Sequence, residues 1–210
     1  MLAMSAQAQV HMCKDANGRK VYSDAPCGAD DKVVDVKSPT GGPQIKPNAN
    51  LEIVHYDIRG ATWEALRREM QAKGPEGGWG ASEKRISYKY LTRQTQKGCA
   101  IDAVTVYADS AISLPNWVDR YNAPVSLQDW WDAASRSIDM HERTHVQFTL
   151  DAARDLERVL KTMPDQPTCE GLNALAVQQY TQILADHDQK QRDYDARTDH
   201  GWRERTPYRP

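Results

Sequence analysis

The sequence predicts an α+β fold, with a small antiparallel sheet packed on long helices. Three observations lead there. Strand-like alternation is confined to the first half and long helical periodicity to the second, unlike the alternating units of a doubly wound sheet. A breaker-rich stretch from Ser38 to Asn50 separates a short β-like module from the rest. The chain has 210 residues and a formal net charge of −2, enough for one substantial domain and a small module.

The first residues, 1–8, read as the remnant of a secretory signal. Ser5, Ala6 and Ala8 are small, as a cleavage site after Ala8 requires, although the basic start and full apolar stretch are missing. Residues 9–37 form the β module. Val10 to Lys14 and Lys20 to Ser23 are strand candidates joined by the turn signal Asp15-Ala16-Asn17-Gly18, and Lys32 to Val36 alternates like a third strand. So small a module buries little core, so a disulfide staple, Cys13–Cys27, is expected. Residues 38–50 read as a linker, and the main domain as 51–201.

Within the main domain, Glu52 to Ile58 is a strand candidate. Thr62 to Lys73 is an amphipathic helix with Trp63, Leu66 and Met70 on one side. Gly74 to Gly80 is a loop. Arg85 to Leu91 and Ala100 to Tyr107 carry strand patterns, and Leu114 to Trp117 opens an irregular connection. A long helix follows from Ser126, its cap, to Leu160, with room for one break; Pro164 and Pro167 end it. Gly171 to Asp193 is the last helix, and a polar tail completes the chain, with 202–210 outside the domain.

Composition excludes several functions. The basic residues form no long run, so nucleic acid is not an expected partner. No apolar segment approaches the ~20 residues of a membrane-spanning helix. The four cysteines allow three pairings. The module division favours Cys13–Cys27 and Cys99–Cys169, and disulfides agree with a periplasmic or secreted protein.

The long helix carries His141-Glu142-Arg143-Thr144-His145. Residues four apart lie on one helical face, so the two imidazoles converge where one Zn²⁺ can bind both. They share that face with Ala134 and Ile138 and should point inward, where an unpaired imidazole is costly. Glu142 is placed to act as general base on a zinc-activated water.

Catalytic zinc takes three protein ligands, and no ligand follows closely after His145. Candidates further on are Asp151, Asp155, Glu157, His187 and His200, with Asp195 and Asp199 beside the last. Asp151 and Asp155 diverge from the metal along the helix and read as solvated charges. His187, between Asp186 and Asp188, reads as a surface residue. His200 lies in a dense polar cluster, Tyr194 to Gly201. At this level His200, His187 and Asp195 all remain open.

Several stretches carry resemblances. Cys13, Asp15, Gly18, Val21 to Asp24 and Pro26-Cys27 resemble a small domain of unknown function near the start of many exported bacterial proteins, which implies export. From His55 to Gly201 the chain resembles a bacterial family of predicted secreted zinc-dependent proteases, mostly catalogued as a domain of unknown function. The matching residues are Tyr56 to Gly60, Gly74-Pro75, Cys99, Leu114 to Trp117, Trp130, His141 to His145, Cys169 and Tyr194 to Gly201. The resemblance implies a zincin-like domain, His200 as third zinc ligand, and a Cys99–Cys169 disulfide.

These readings together give a zinc metallopeptidase. His141, His145 and His200 hold Zn²⁺, Glu142 is the catalytic base, and Tyr194 or Arg197 donates to the developing oxyanion. Asp195 or Asp199 orients a ligand imidazole. The partner is a peptide or protein substrate, a class that includes cell-wall peptides; the oligomeric state is not legible. The alternative is a non-enzymatic exported binding protein with a structural or vestigial zinc site, against which the intact Glu142 argues.

Overall fold

The computed structural model describes residues 10–14, 20–23, 32–34, 48–75 and 78–204. The chain divides into two compact units, Met1–Gln44 and Ile45–Pro210. In the first, strands β1 (Val10–Lys14), β2 (Lys20–Ser23) and β3 (Lys32–Val34) form an antiparallel sheet of order β2-β1-β3. The pairing Cys13–Cys27 lies outside the described residues.

The second unit holds β4 (Asn48–Ile58), α1 (Trp63–Lys73), β5 (Ala81–Thr95), β6 (Gly98–Trp117), α2 (Val125–Lys161) and α3 (Cys169–Thr198). Its sheet is mixed, of order β4-β6-β5, and so differs from the antiparallel sheet expected. β5 and β6 are a hairpin, whereas β4 reaches β6 only after α1 and β5 and lies parallel to it. β6 also runs through Leu114 to Trp117, where an irregular connection was expected. β5 pairs with β6 only as far as Ser113, opposite Ala81. Pro115 therefore lies where β4 is the one remaining neighbour, and its missing N–H breaks no ladder on the β5 side.

α1 starts as its sequence dictates: the Thr62 side chain accepts from Ala65 N, and Leu66 and Met70 are buried one turn apart. α2 is unbroken over 37 residues. Pro124, not Ser126, occupies its N-cap and makes no side-chain cap bond. The fixed φ of proline already sets up the first turn. α3 begins two residues earlier than expected, because Thr168 caps it by accepting from Gly171 N at 3.1 Å. A disulfide joins Cys99 at the start of β6 to Cys169 at the start of α3. Beside it, Cys99 and Gln166 exchange backbone hydrogen bonds of 2.7 and 2.9 Å.

α2 packs on two separate apolar clusters. Its first half, Leu127 to Ile138, meets Ile58, Leu66, Met70, Trp79 and Trp117, with Trp63 edge-on to Trp130 at 4.3 Å. Its last third, Ala152 to Leu160, meets Ile86, Val106, Ala108 and Ala176. Removing a side chain such as Leu156 from such a cluster costs about 2–5 kcal/mol, so both ends of the helix are held firmly. The His-Glu-x-x-His segment falls between the clusters. No helix among the described residues is long and apolar enough to cross a membrane.

Candidate metal centre

The stripe Ala134, Ile138, His141, His145 is buried throughout, as its i,i+4 spacing requires. The Nε2 atoms of His141 and His145 face each other at 3.2 Å. Asp195, near the end of α3, brings Oδ1 to 2.9 Å from His145 Nε2 and 3.3 Å from His141 Nε2. His141, His145 and Asp195 are the group among the described residues whose ligand atoms lie close enough to hold one metal ion, all within 4.8 Å.

The other imidazole nitrogens are engaged behind the site. His141 Nδ1 lies 3.0 Å from Glu204 Oε2. His145 Nδ1 bonds Gln191 Oε1, and the same amide donates through Nε2 to the His145 carbonyl at 3.1 Å. Carboxylate and amide oxygens only accept, so each Nδ1 carries the proton. Both Nε2 atoms are then acceptors, pointing at one another and at a carboxylate oxygen. Three converging acceptors with no proton between them suit a cation, and the N₂O donor set suits zinc. Burial also lowers the His145 pKa, partly offset by the Gln191 hydrogen bond and Asp195, and so favours the neutral ring a metal needs.

Glu142 lies on the cleft side of these ligands. The cleft, about 650 Å³, includes Gly80, Ser82, Lys84, Glu142, Asp195 and His200 in its wall. Burial raises the Glu142 carboxyl above its ordinary range, while His141 and a Ser82 hydrogen bond pull it back. A Cβ at Gly80 would lie 2.9 Å from Glu142 Oε1, so glycine leaves the carboxylate its place.

The remaining candidates lie elsewhere. His200 is 79% exposed at the cleft rim, its Nδ1 4.0 Å from Asp195 Oδ1, and the metal-capable group does not include it. Asp199 and His200 both take left-handed backbone, at φ 53° and 50°, and so turn the chain away after α3. The turn ends at Gly201, φ 79°, packed so closely on the His141 ring that a Cβ would approach Cγ at 3.1 Å. Tyr194 stacks on His141 at 4.8 Å and donates its hydroxyl to Glu204 at 3.0 Å. The Arg197 guanidinium lies over the Tyr194 ring at 5.4 Å. Asp151 and Asp155 pair with Arg154 and Arg158 on the helix exterior, and Glu157 with Lys161.

His187 is not at the surface. It is 5% exposed, with Nε2 at 2.7 Å from Gln191 Nε2 and 3.2 Å from Thr149 Oγ1, because this face of α3 packs on α2. Gln191 and Glu204 are the contributors sequence reasoning missed. Gln191 lies on the same helical stripe as His187 and Tyr194, a signal that was there to read. Glu204 belongs to a 3-10 turn, Trp202–Glu204, within what reads as a polar tail. That turn is fixed by Ser137 Oγ donating to the Glu204 carbonyl at 3.0 Å and by Trp202 against Trp79 at 4.5 Å.

The fold and site define an α+β domain with a paired-histidine helix and a His-His-Asp group able to hold a metal ion. Residues 53–201 match the family described as a bacterial protein of unknown function (DUF922), and the chain belongs to that family. Residues 1–50 match a second domain of unknown function (DUF4124). No curated protein and no solved structure matches the chain.

Proposed function

We propose that the protein is an exported zinc-dependent metallopeptidase whose metal ligands are His141, His145 and Asp195. The observation that carries this reading is the pair of inward-facing Nε2 acceptors beside the Asp195 carboxylate, with Glu142 next to them in an open cleft. The Cys99–Cys169 disulfide supports an oxidising compartment. Zinc held there would polarise a peptide carbonyl and make a water acidic enough to ionise near neutral pH.

The protein groups have separable tasks. Glu142 takes the proton of the attacking water as its oxygen bonds to the carbonyl carbon. It returns that proton to the nitrogen as the C–N bond breaks. A carboxylate kept basic by burial suits both halves of this exchange. Glu204 and Gln191 hold the two imidazoles in the tautomer that exposes Nε2. With its hydroxyl on Glu204, Tyr194 acts as support for His141 and leaves the oxyanion to another donor.

Elemental analysis of protein never exposed to chelator should find about one zinc per chain. Peptidase activity should be present in the wild type and lost in Glu142→Gln, with zinc retained, because Glu142 is not a ligand. Protein without a transition metal, or a Glu142→Gln variant with full activity, would sink the proposal.

A further inference from the structure

Lys84 has no role in the chemistry above; it is an exposed residue, and it stands in the wall of the cleft. Side chains alternate along a strand, so Ser82, Lys84 and Ile86 share one face of β5. That face is turned towards the helices: Ser82 lines the cleft together with Glu142, and Ile86 is buried in the cluster against α2. Lys84 therefore reaches into the wall of the cleft that also includes Glu142, His145 and Asp195. None of the ion pairs among the described residues involves it. Desolvation pushes its ammonium down in pKa, opposed by the fields of Asp195, Glu142 and Asp188.

The carboxylates that balance Lys84 are those a metal would claim. A dication on His141, His145 and Asp195 cancels the field of Asp195 and weakens that of Glu142. The ammonium would then face a second cation in the same cleft wall with the fields of its balancing carboxylates diminished, an arrangement that favours the arrival of another anion. A bound substrate is the component that can bring one.

We propose that Lys84 receives a carboxylate of the bound peptide, so that the substrates are peptides presenting an acidic group beside the scissile bond. This rests on the metallopeptidase reading of the same cleft. The carboxylate has two possible sources, the free C-terminus of a short peptide or an acidic side chain. A C-terminal source makes the enzyme a trimmer of chain ends; a side-chain source makes it selective within chains.

The test measures binding without turnover, in zinc-loaded protein carrying Glu142→Gln, by calorimetry. The probes are acetyl-tetra-alanine as free acid, the same peptide as C-terminal amide, and an amidated analogue with one glutamate. One of the two carboxylate peptides should bind roughly 10-fold more tightly than the neutral amide, and which one identifies the source. Adding Lys84→Met should abolish the preference, and Lys84→Arg should keep most of it. Equal affinity for all three peptides, no measurable binding at millimolar peptide, or a preference that survives Lys84→Met overturns the proposal. A preference lost instead in Arg67→Ala, the other cation among the cleft residues, also overturns it. Zinc content of the same samples and cleavage by wild type report on the metallopeptidase reading separately.

Discussion

Glu204 Oε2 lies 3.0 Å from Nδ1 of His141, across 63 residues of chain. The same carboxylate accepts the Tyr194 hydroxyl, so one acidic group orients a candidate metal ligand and the ring stacked on it. A carboxylate behind a ligand histidine fixes its tautomer and raises its basicity.

Glu204→Ala should weaken zinc binding about 10–100-fold with the fold retained. Glu204→Gln, which can still accept from Nδ1–H, should fall between Ala and wild type. Competition against a chromophoric zinc chelator reads both. Equal affinity in all three proteins would reduce Glu204 to a surface contact.

Asp195→Asn should lose zinc by orders of magnitude, because one of three ligands is replaced by a neutral amide. His200→Ala should bind zinc nearly as well as wild type, since its ring is on the cleft rim. The reverse result would return the third position to His200.

Glu142→Gln should change stability in a pH-dependent way in chelator-treated protein. Burial raises the folded-state carboxyl above its ordinary value of 4.5, so the folded state is penalised for ionising it. Below 4.5 both states hold the proton and no penalty exists; it grows with pH and is complete once the folded carboxyl has ionised. The variant should therefore melt above wild type at neutral pH and with it in acid. His145 acts oppositely in both proteins. Held below its ordinary value of 6.5, it contributes stability above 6.5 that is lost as pH falls from there through the folded-state value. Thermal melts across pH check both signs.

Replacing Cys99 and Cys169 together by serine should lower stability by about 2–4 kcal/mol, measured by denaturant unfolding. The bridge closes a loop with a sequence separation of 70, which contains the whole of α2. A loss confined to the ends of β6 and α3, with unchanged global unfolding, would contradict this.

The motif helix was legible because its signal is local. Trp130, Ala134, Ile138, His141 and His145 keep to one helical face, and nothing distant alters that spacing. The course of β6 through Pro115 was not legible, since it depends on which neighbour β6 keeps beyond Ser113. α3 was harder. Its buried stripe, Leu172, Ala176, His187, Gln191, Tyr194 and Thr198, turns polar halfway along. Buried polar residues look like solvated ones until their partners on α2 are known, which is why His187 reads as exposed. The choice between Asp195 and His200 turned on the left-handed pair Asp199-His200, a backbone feature no side-chain pattern announces.

The distribution of the site along the chain also sets an order in time. During synthesis α2 with both histidines emerges first, Asp195 follows 50 residues after His145, and Glu204 comes later still. A nascent or C-terminally clipped chain can thus display the complete five-residue signature while lacking both carboxylates that finish the coordination environment. If the group holds a metal ion, its capture would act as a checkpoint on completed translation and folding, passed once the last turn has closed over His141.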